Sequence, residues 1–400
     1  MKHQVNLFIL LSGIFFISHT HVQAQRIYKQ SNSYYIQANE NYQKGKLDLQ
    51  LGDFNNALRS LNLAIKQNPG FADAYFERGK THMLQKHYKK AFNDFVKATQ
   101  FNPHKSAPYL YKGAIYHEQN EYEAAIQEYT QALRLNPKSA MAYNYRAEAY
   151  KEIGFTPKAI EDYSSAINYD PQQAILYYGR GQCLMESQKY TQAIKDFSKA
   201  IQLQPSILDS YRQRAYAAFL AGNYMRSAQD LDYLEQKDAK NMKPYQYSLS
   251  AYCKAASKDY RGAIRAINKV MEMEPNNALH YVERAQYHAA LAQYDPAIND
   301  YTKALEAYPD SVRFYGLRAE AFLRQEDYAH TIKDCNLLIS KQPQNARAWY
   351  LRGVAKMRTN HRKREIKKDL QQAAMLGYPK NKMESQAYKY ARKGFKKRKR

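Results

Sequence analysis

Residues that interrupt helices are scarce in this chain, with 15 glycines and 13 prolines among 400 residues, a composition that favours helix. No glycine-rich phosphate loop, His-Glu-x-x-His pair or Gly-x-Ser-x-Gly elbow occurs, so the chemistries those motifs serve have no candidate here. Cysteine is scarcer still. Cys183, Cys253 and Cys335 are odd in number and lie 70 and 82 residues apart, which suits neither a disulfide framework nor a metal site and leaves them as small buried hydrophobes. The eleven histidines are scattered, and His82 and His87, five residues apart, do not stack on one helix face as metal ligands would. Neither a cofactor nor a metal is expected, and no enzyme. Acid is also short, with 37 Asp and Glu against 61 Lys and Arg, a net charge of +24.

A long apolar run is missing as well. The nearest to one, Leu7 to Ile17, is broken by Ser12 and Gly13 and is shorter than a bilayer-spanning helix. Preceded by Lys2 and followed by Val22-Gln23-Ala24, it reads as a signal peptide over 1–24 with cleavage after Ala24; an uncleaved anchor is the weaker alternative. No cysteine stands near the cut to carry a lipid. The expectation is an exported protein, periplasmic or extracellular, with a short lead-in over 25–37.

What the chain has in abundance is a period. Pro69, Pro103, Pro137, Pro171 and Pro205 follow at 34 residues, and Pro275, Pro309 and Pro343 resume that interval after a gap of 70. Two extra residues therefore sit in one repeat, within Asp238 to Pro244. With that allowance a small column runs through Gly45, Gly79, Gly113, Ala147, Gly181, Ala215, Ala251, Ala285, Ala319 and Gly353. Four residues before each member stands an aromatic, from Tyr75 to Trp349, with Asn41 the exception. Two further alanine columns pass through Ala57, Ala91 and Ala125, and through Ala64, Ala98 and Ala132. Small residues let helices approach closely, aromatics fill the spaces between, and each proline stops a helix. Pro108, Pro157 and Pro296 fall in first turns, where a missing N–H costs little. Most of the 38 tyrosines are thereby packing residues; a carbohydrate-binding or base-stacking surface is the functional alternative.

These columns resemble the tetratricopeptide repeat, whose aromatic, small, aromatic, Ala, aromatic, Ala and Pro positions are met at Tyr177, Gly181, Tyr190, Ala193, Phe197, Ala200 and Pro205. The resemblance implies an all-α, right-handed superhelical solenoid of helix-turn-helix repeats. Ten repeats would span 38–71, 72–105, 106–139, 140–173, 174–207, 208–243, 244–277, 278–311, 312–345 and 346–379. A capping helix and basic tail would follow over 380–400, with Met383, Ala387 and Ala391 on the helix's apolar face.

One charged pair repeats. A base precedes the small column at Lys44, Arg78, Lys112, Arg146, Arg180, Arg214, Arg284, Arg318 and Arg352, and sixteen residues after most of these stand Asp94, Glu128, Asp162, Asp196, Asp230, Asp300 and Asp334. Both are lost together at Ser250 and Ala266. Joint loss predicts contact inside one unit, because removing one partner of a buried pair costs about 3–5 kcal/mol by leaving the other charge uncompensated.

The resemblance further implies that first helices line a groove through the second, fifth, ninth and twelfth residues of a unit. Those positions supply Phe76, Lys80 and Met83; Leu110 and His117; Met141, Asn144 and Lys151; Tyr178 and Met185; Arg212, Tyr216 and Phe219; and Tyr245 and Tyr252. No unit has the Lys and Asn pair that clamps a terminal dicarboxylate in one subclass. The function expected is a non-enzymatic scaffold holding a protein or peptide partner, with no small-molecule substrate and no specific nucleic acid. The rival reading rests on charge. From Arg352 to Arg400 there are 18 bases against three acids, and the tail Lys389, Arg392, Lys393, Lys396, Lys397, Arg398, Lys399 and Arg400 would hold an anionic lipid or another polyanion.

Overall fold

The computed structural model describes residues 33–398, with side chains through Arg392. The signal segment 1–24, most of the lead-in, and Lys399 and Arg400 lie outside the described residues, as do the side chains of Lys393, Lys396, Lys397 and Arg398. The described chain holds 21 helices in consecutive pairs and no strand, which is ten hairpins and one helix over. Two compact units divide at Pro205/Ser206.

Unit 1 contains α1 (33–50), α2 (Phe54–Gln67), α3 (Ala72–Leu84), α4 (Tyr88–Phe101), α5 (Ser106–Glu118), α6 (Tyr122–Leu135), α7 (Ala140–Glu152), α8 (Thr156–Tyr169), α9 (Ala174–Glu186) and α10 (Tyr190–Leu203). Each even helix buries one stripe. In α8 it is Ala159, Asp162, Tyr163 and Ala166, the spacing that gathers side chains on one helix face. The small column works by contact distance: a Cβ on Gly113 would stand 2.5 Å from the Tyr129 ring, and one on Gly79 2.6 Å from that of Phe95.

Unit 2 contains α11 (Leu208–Leu220), α12 (Tyr224–Asp238), α13 (Pro244–Ala256), α14 (Tyr260–Met273), α15 (Leu279–Ala290), α16 (Tyr294–Ala307), α17 (Val312–Arg324), α18 (Tyr328–Lys341), α19 (Ala346–Arg358), α20 (Lys363–Met375) and α21 (Ser385–Arg398). The two extra residues are taken up by a short 3-10 turn, Ala239–Asn241, between α12 and α13. Pro244 starts α13 at its first position, where its fixed φ fits and no donor is lost. The last helix caps the array: its Ala387 and Ala391 are buried in one cluster with Leu351, Val354, Leu370 and Ala374. Met383, expected on the same helix face, joins that cluster from the extended segment between the 3-10 turn Lys380–Lys382 and α21.

Every hairpin turns through one residue in the left-handed region. Lys86, Asn120, Gln188, Lys258, Ala292, Glu326 and Asn360 hold φ between 52° and 67°, and Gly52, Gly154 and Gly222 occupy the same column. The turn closes with paired bonds such as Lys86 N–H to Met83 O at 2.9 Å and His87 N–H to His82 O at 2.8 Å, which satisfy the last carbonyls of the first helix. Because seven of these ten residues are not glycine, the turn leaves little mark in the sequence.

Candidate binding surface

A charged ladder whose members already satisfy one another has nothing left for a ligand. Arg146 donates through Nε and Nη2 to the Asp162 carboxylate at 2.7 and 2.8 Å. The same fork joins Arg78 to Asp94, Arg180 to Asp196, Arg214 to Asp230, Arg284 to Asp300 and Arg318 to Asp334, and Lys112 reaches Glu128 at 2.7 Å. All of these contacts lie within one hairpin, as the joint loss at Ser250 and Ala266 predicts. The carboxylates of Asp196 and Asp300 hold the Arg180 and Arg284 guanidiniums above their ordinary pKa.

Two features of the ladder go beyond what residue spacing implies. The third guanidinium nitrogen bonds backwards: Arg78 to Asn62, Arg146 to Thr130, Arg180 to Ser164, Arg284 to Asn268, Arg318 to Thr302 and Arg352 to Asn336, at 2.6 to 3.1 Å. Each of these arginines thus ties its own hairpin to the preceding one. Arg352 also finds an acid, Asp369, seventeen residues on rather than sixteen. Beneath the base lies the aromatic column, with Arg78 5.3 Å over Tyr75 and Arg352 4.6 Å over Trp349. The polar tip of that ring closes the turn before it, Tyr177 donating to Pro171 O and Trp349 to Pro343 O. The ladder is structural on every side.

The odd-numbered helices carry the predicted groove residues. In unit 1 the structure buries three of them, Phe76, Leu110 and Asn144. Tyr111 of the next hairpin meets the Phe76 ring edge-on at 5.4 Å, and Lys105 stands 4.6 Å above it. Lys80 is neutralised by Glu77 at 2.8 Å, and Met83 packs against the core of that hairpin. Met141 is exposed, and Met185 is half-buried.

Residues of α5, α7 and α9 converge into one polar group. Asn144, 8 % exposed, donates to Glu148 at 3.3 Å while its Oδ1 has no partner. Lys151 donates to Gln182 at 3.5 Å, and Gln182 to the Tyr178 hydroxyl at 3.2 Å. Burial raises the Glu148 pKa, with His117 and Lys151 opposing. Glu148 is not among the groove residues predicted from the sequence, although it occupies the ninth place of its unit and that place is the signal that could have found it. His117, which is among them, has its Nε2 buried without a partner.

Unit 2 is different in kind. Arg212 is held by Asp209 and Asp238 at 2.7 and 2.6 Å. Tyr216, Phe219 and Tyr252 come together with Tyr224 as one aromatic group: Phe219 meets Tyr252 edge-on at 5.7 Å, Tyr224 meets Tyr252 likewise at 5.7 Å, and Tyr216 lies 6.4 Å from Phe219. Tyr216 and Tyr252 are nonetheless 49 % and 52 % exposed, and Tyr245 on the same helix as Tyr252 is 67 % exposed. Contiguous aromatic surface of this sort marks an interaction site more often than chance exposure.

The remaining predicted residues are those of the tail. Lys389 and Arg392 are exposed and line a cleft against α20. The three thiols are free and buried, and burial pushes Cys183 up to about 11 and Cys335 up to about 12, so neither is a nucleophile at neutral pH. Among the described residues no helix is long and apolar enough to cross a membrane.

Comparison with known proteins agrees with this architecture. Family models described as TPR repeat and tetratricopeptide repeat match residues 113–154, 174–207, 42–107 and 282–330. The C-terminal part of a TPR repeat-containing protein from Cytophaga hutchinsonii is 19 % identical over 60 % of this chain and 98 % of its own, with a TM-score of 0.50. Pseudomonas aeruginosa pilF is 18 % identical over 52 % of this chain and 94 % of its own, with a TM-score of 0.47. A tetratricopeptide repeat protein from Parabacteroides merdae is 22 % identical over 72 % and 99 %, with a TM-score of 0.35. Among curated proteins none matches. At such identities the likeness is one of fold.

Proposed function

Because the chain is a tetratricopeptide-repeat protein, a class that generally serves protein interaction rather than catalysis, we propose that it is an exported scaffold holding a polypeptide partner along its odd-numbered helices. The observation that carries this reading is the aromatic group of α11 and α13, where the half-buried Phe219 meets both Tyr216 and Tyr252 and those two tyrosines keep exposed faces. Tyrosine gives large contact area with few rotors to freeze, so such residues dominate interface energetics. In unit 1 the polar group of Asn144, Glu148 and Lys151 offers a separate contact, whose charges would add specificity more than affinity.

The test is capture by the full chain with a photo-crosslinker in place of Tyr245. Adducts should be polypeptides, and Tyr216→Ser/Tyr252→Ser should weaken the capture by at least about ten-fold without lowering helix content. Adducts indifferent to that double substitution would remove the aromatic group from the function. Export belongs to the same proposal, and a mature chain beginning at Gln25 is its expected mass-spectrometric signature. A second reading, a polyanion held at the basic C-terminal end, is favoured by the cleft beside Lys389 and Arg392.

A further inference from the structure

The final two helices of unit 2 enclose a cleft of about 700 Å³. From α20 it takes Lys363, Arg364, Lys367 and Gln371, whose spacing puts them along one helix face. From α21 it takes Lys389, Tyr390 and Arg392, within a single turn. Five of these seven side chains are cations, and none is an acid.

The segregation is built by the packing. Of the two acids in α20, Glu365 does not line the cleft, and Asp369 is turned inward, where Arg352 and Lys356 hold it at 2.8 and 2.9 Å. No Asp or Glu occurs in α21. The ladder that neutralises bases elsewhere therefore takes up Asp369 from the other side of the helix, and no carboxylate lines the cleft. Five like charges around one concavity repel one another, and low-dielectric walls focus their field into it. A compact ligand bearing several oxyanions relieves that repulsion at once. Two arginines in the set supply forked donors matched to phosphate oxygens, and Tyr390 supplies a hydroxyl.

We propose that the α20–α21 cleft binds a compact, multiply charged phosphate group, either free or as the headgroup of an anionic lipid. The proposal rests on the second reading above and narrows it, because it moves the site from a diffuse tail to a cleft whose other wall is α20. The volume suits this ligand, because the concavity accommodates a headgroup-sized anion whole.

The full chain titrated with tripolyphosphate by calorimetry, and with phosphatidylcholine vesicles containing phosphatidic acid, a phosphomonoester lipid, by co-sedimentation, tests both sources. Lys367→Ala and Arg392→Ala should each weaken binding by about five-fold. Lys368→Ala removes the same charge from the neighbouring exposed position outside the cleft and should change it by less than about two-fold at 0.15 M salt, where screening confines each charge to its surroundings. That selectivity with tripolyphosphate assigns a free phosphate, and the same selectivity with vesicles alone assigns a lipid headgroup. Equal losses for Lys367→Ala and Lys368→Ala overturn the cleft while leaving a diffuse basic end standing. Absence of saturable binding to either probe overturns both.

Discussion

Hairpin α15–α16 carries Arg284 forked onto Asp300, whereas the hairpin before it, α13–α14, has buried Ser250 and Ala266 at the same two places. The earlier hairpin has not simply lost its charge. One turn further along α13, Lys254 reaches back to Asp232 of α12 at 2.5 Å, with its side chain 9 % exposed. Asp232 stands two residues past the ladder acid Asp230, the place from which Ser164, Thr302 and Asn336 accept their bonds in other units. The bond between hairpins is thus kept while the bond within the hairpin is abandoned. What this fold requires is not a particular ion pair but the absence of any lone buried charge, because an uncompensated one is far costlier than an apolar pair.

The two hairpins should differ most in their response to losing a ladder residue. Arg284→Ala strands Asp300, which is 2 % exposed, and should cost about 3–5 kcal/mol in urea unfolding. Arg284→Ser/Asp300→Ala, which copies the earlier hairpin, should cost clearly less than the single change, roughly 1–2 kcal/mol. A double variant as unstable as the single one would show that the pair itself stabilises the array.

A smaller effect separates the two second helices at their starts. Asp259 accepts from Gly262 N–H at 2.9 Å, whereas Gln293 makes no cap bond to α16. Pro296 stands at the third position of α16 and has no N–H to donate to a cap. Asp259→Ala should therefore lose about 1 kcal/mol, and Gln293→Ala should stay within about 0.5 kcal/mol of the parent, both read as shifts in urea midpoint. The smallest change expected is at the turn. Ala292 holds φ at 56°, and Ala292→Gly should gain on the order of 0.5 kcal/mol, since relief of the left-handed penalty outweighs the added freedom of the unfolded chain. A loss of stability on that substitution would mean that the turn is not strained.

Much of the scaffold was legible along the chain. The interval between Pro69 and Pro205, the glycine column and the joint absence at Ser250 and Ala266 together specify hairpins, their close contacts and the partner of each ladder arginine from Arg78 to Arg318, though not of Arg352. Each signal is repeated, and repetition removes the accidents of any single unit. The binding surfaces were less legible because they are where units differ. Phe76 and Tyr252 are both aromatic residues at groove positions, the fifth and ninth of their units, yet one is covered by Tyr111 and Lys105 and the other keeps half its surface. Which occurs depends on the size of side chains in the neighbouring hairpin. The backward bonds of the arginines are hard to read from the chain because their acceptors, though always sixteen residues earlier, vary among Asn, Thr and Ser, residues too common on helix surfaces to stand out.

The order of residues alone thus determined the helices, their pairing and most of the ion pairs inside the hairpins, because those depend on contacts at a fixed separation of sixteen or thirty-four positions. Only the folded array decided which rings at α11 and α13 meet while staying exposed, and which side of α20 Asp369 faces. Both outcomes depend on side chains from separate hairpins competing for one volume. Inward pairing of Asp369 with Arg352 and Lys356 and the outward remainder of bases are a single packing event, which no spacing rule along the chain encodes.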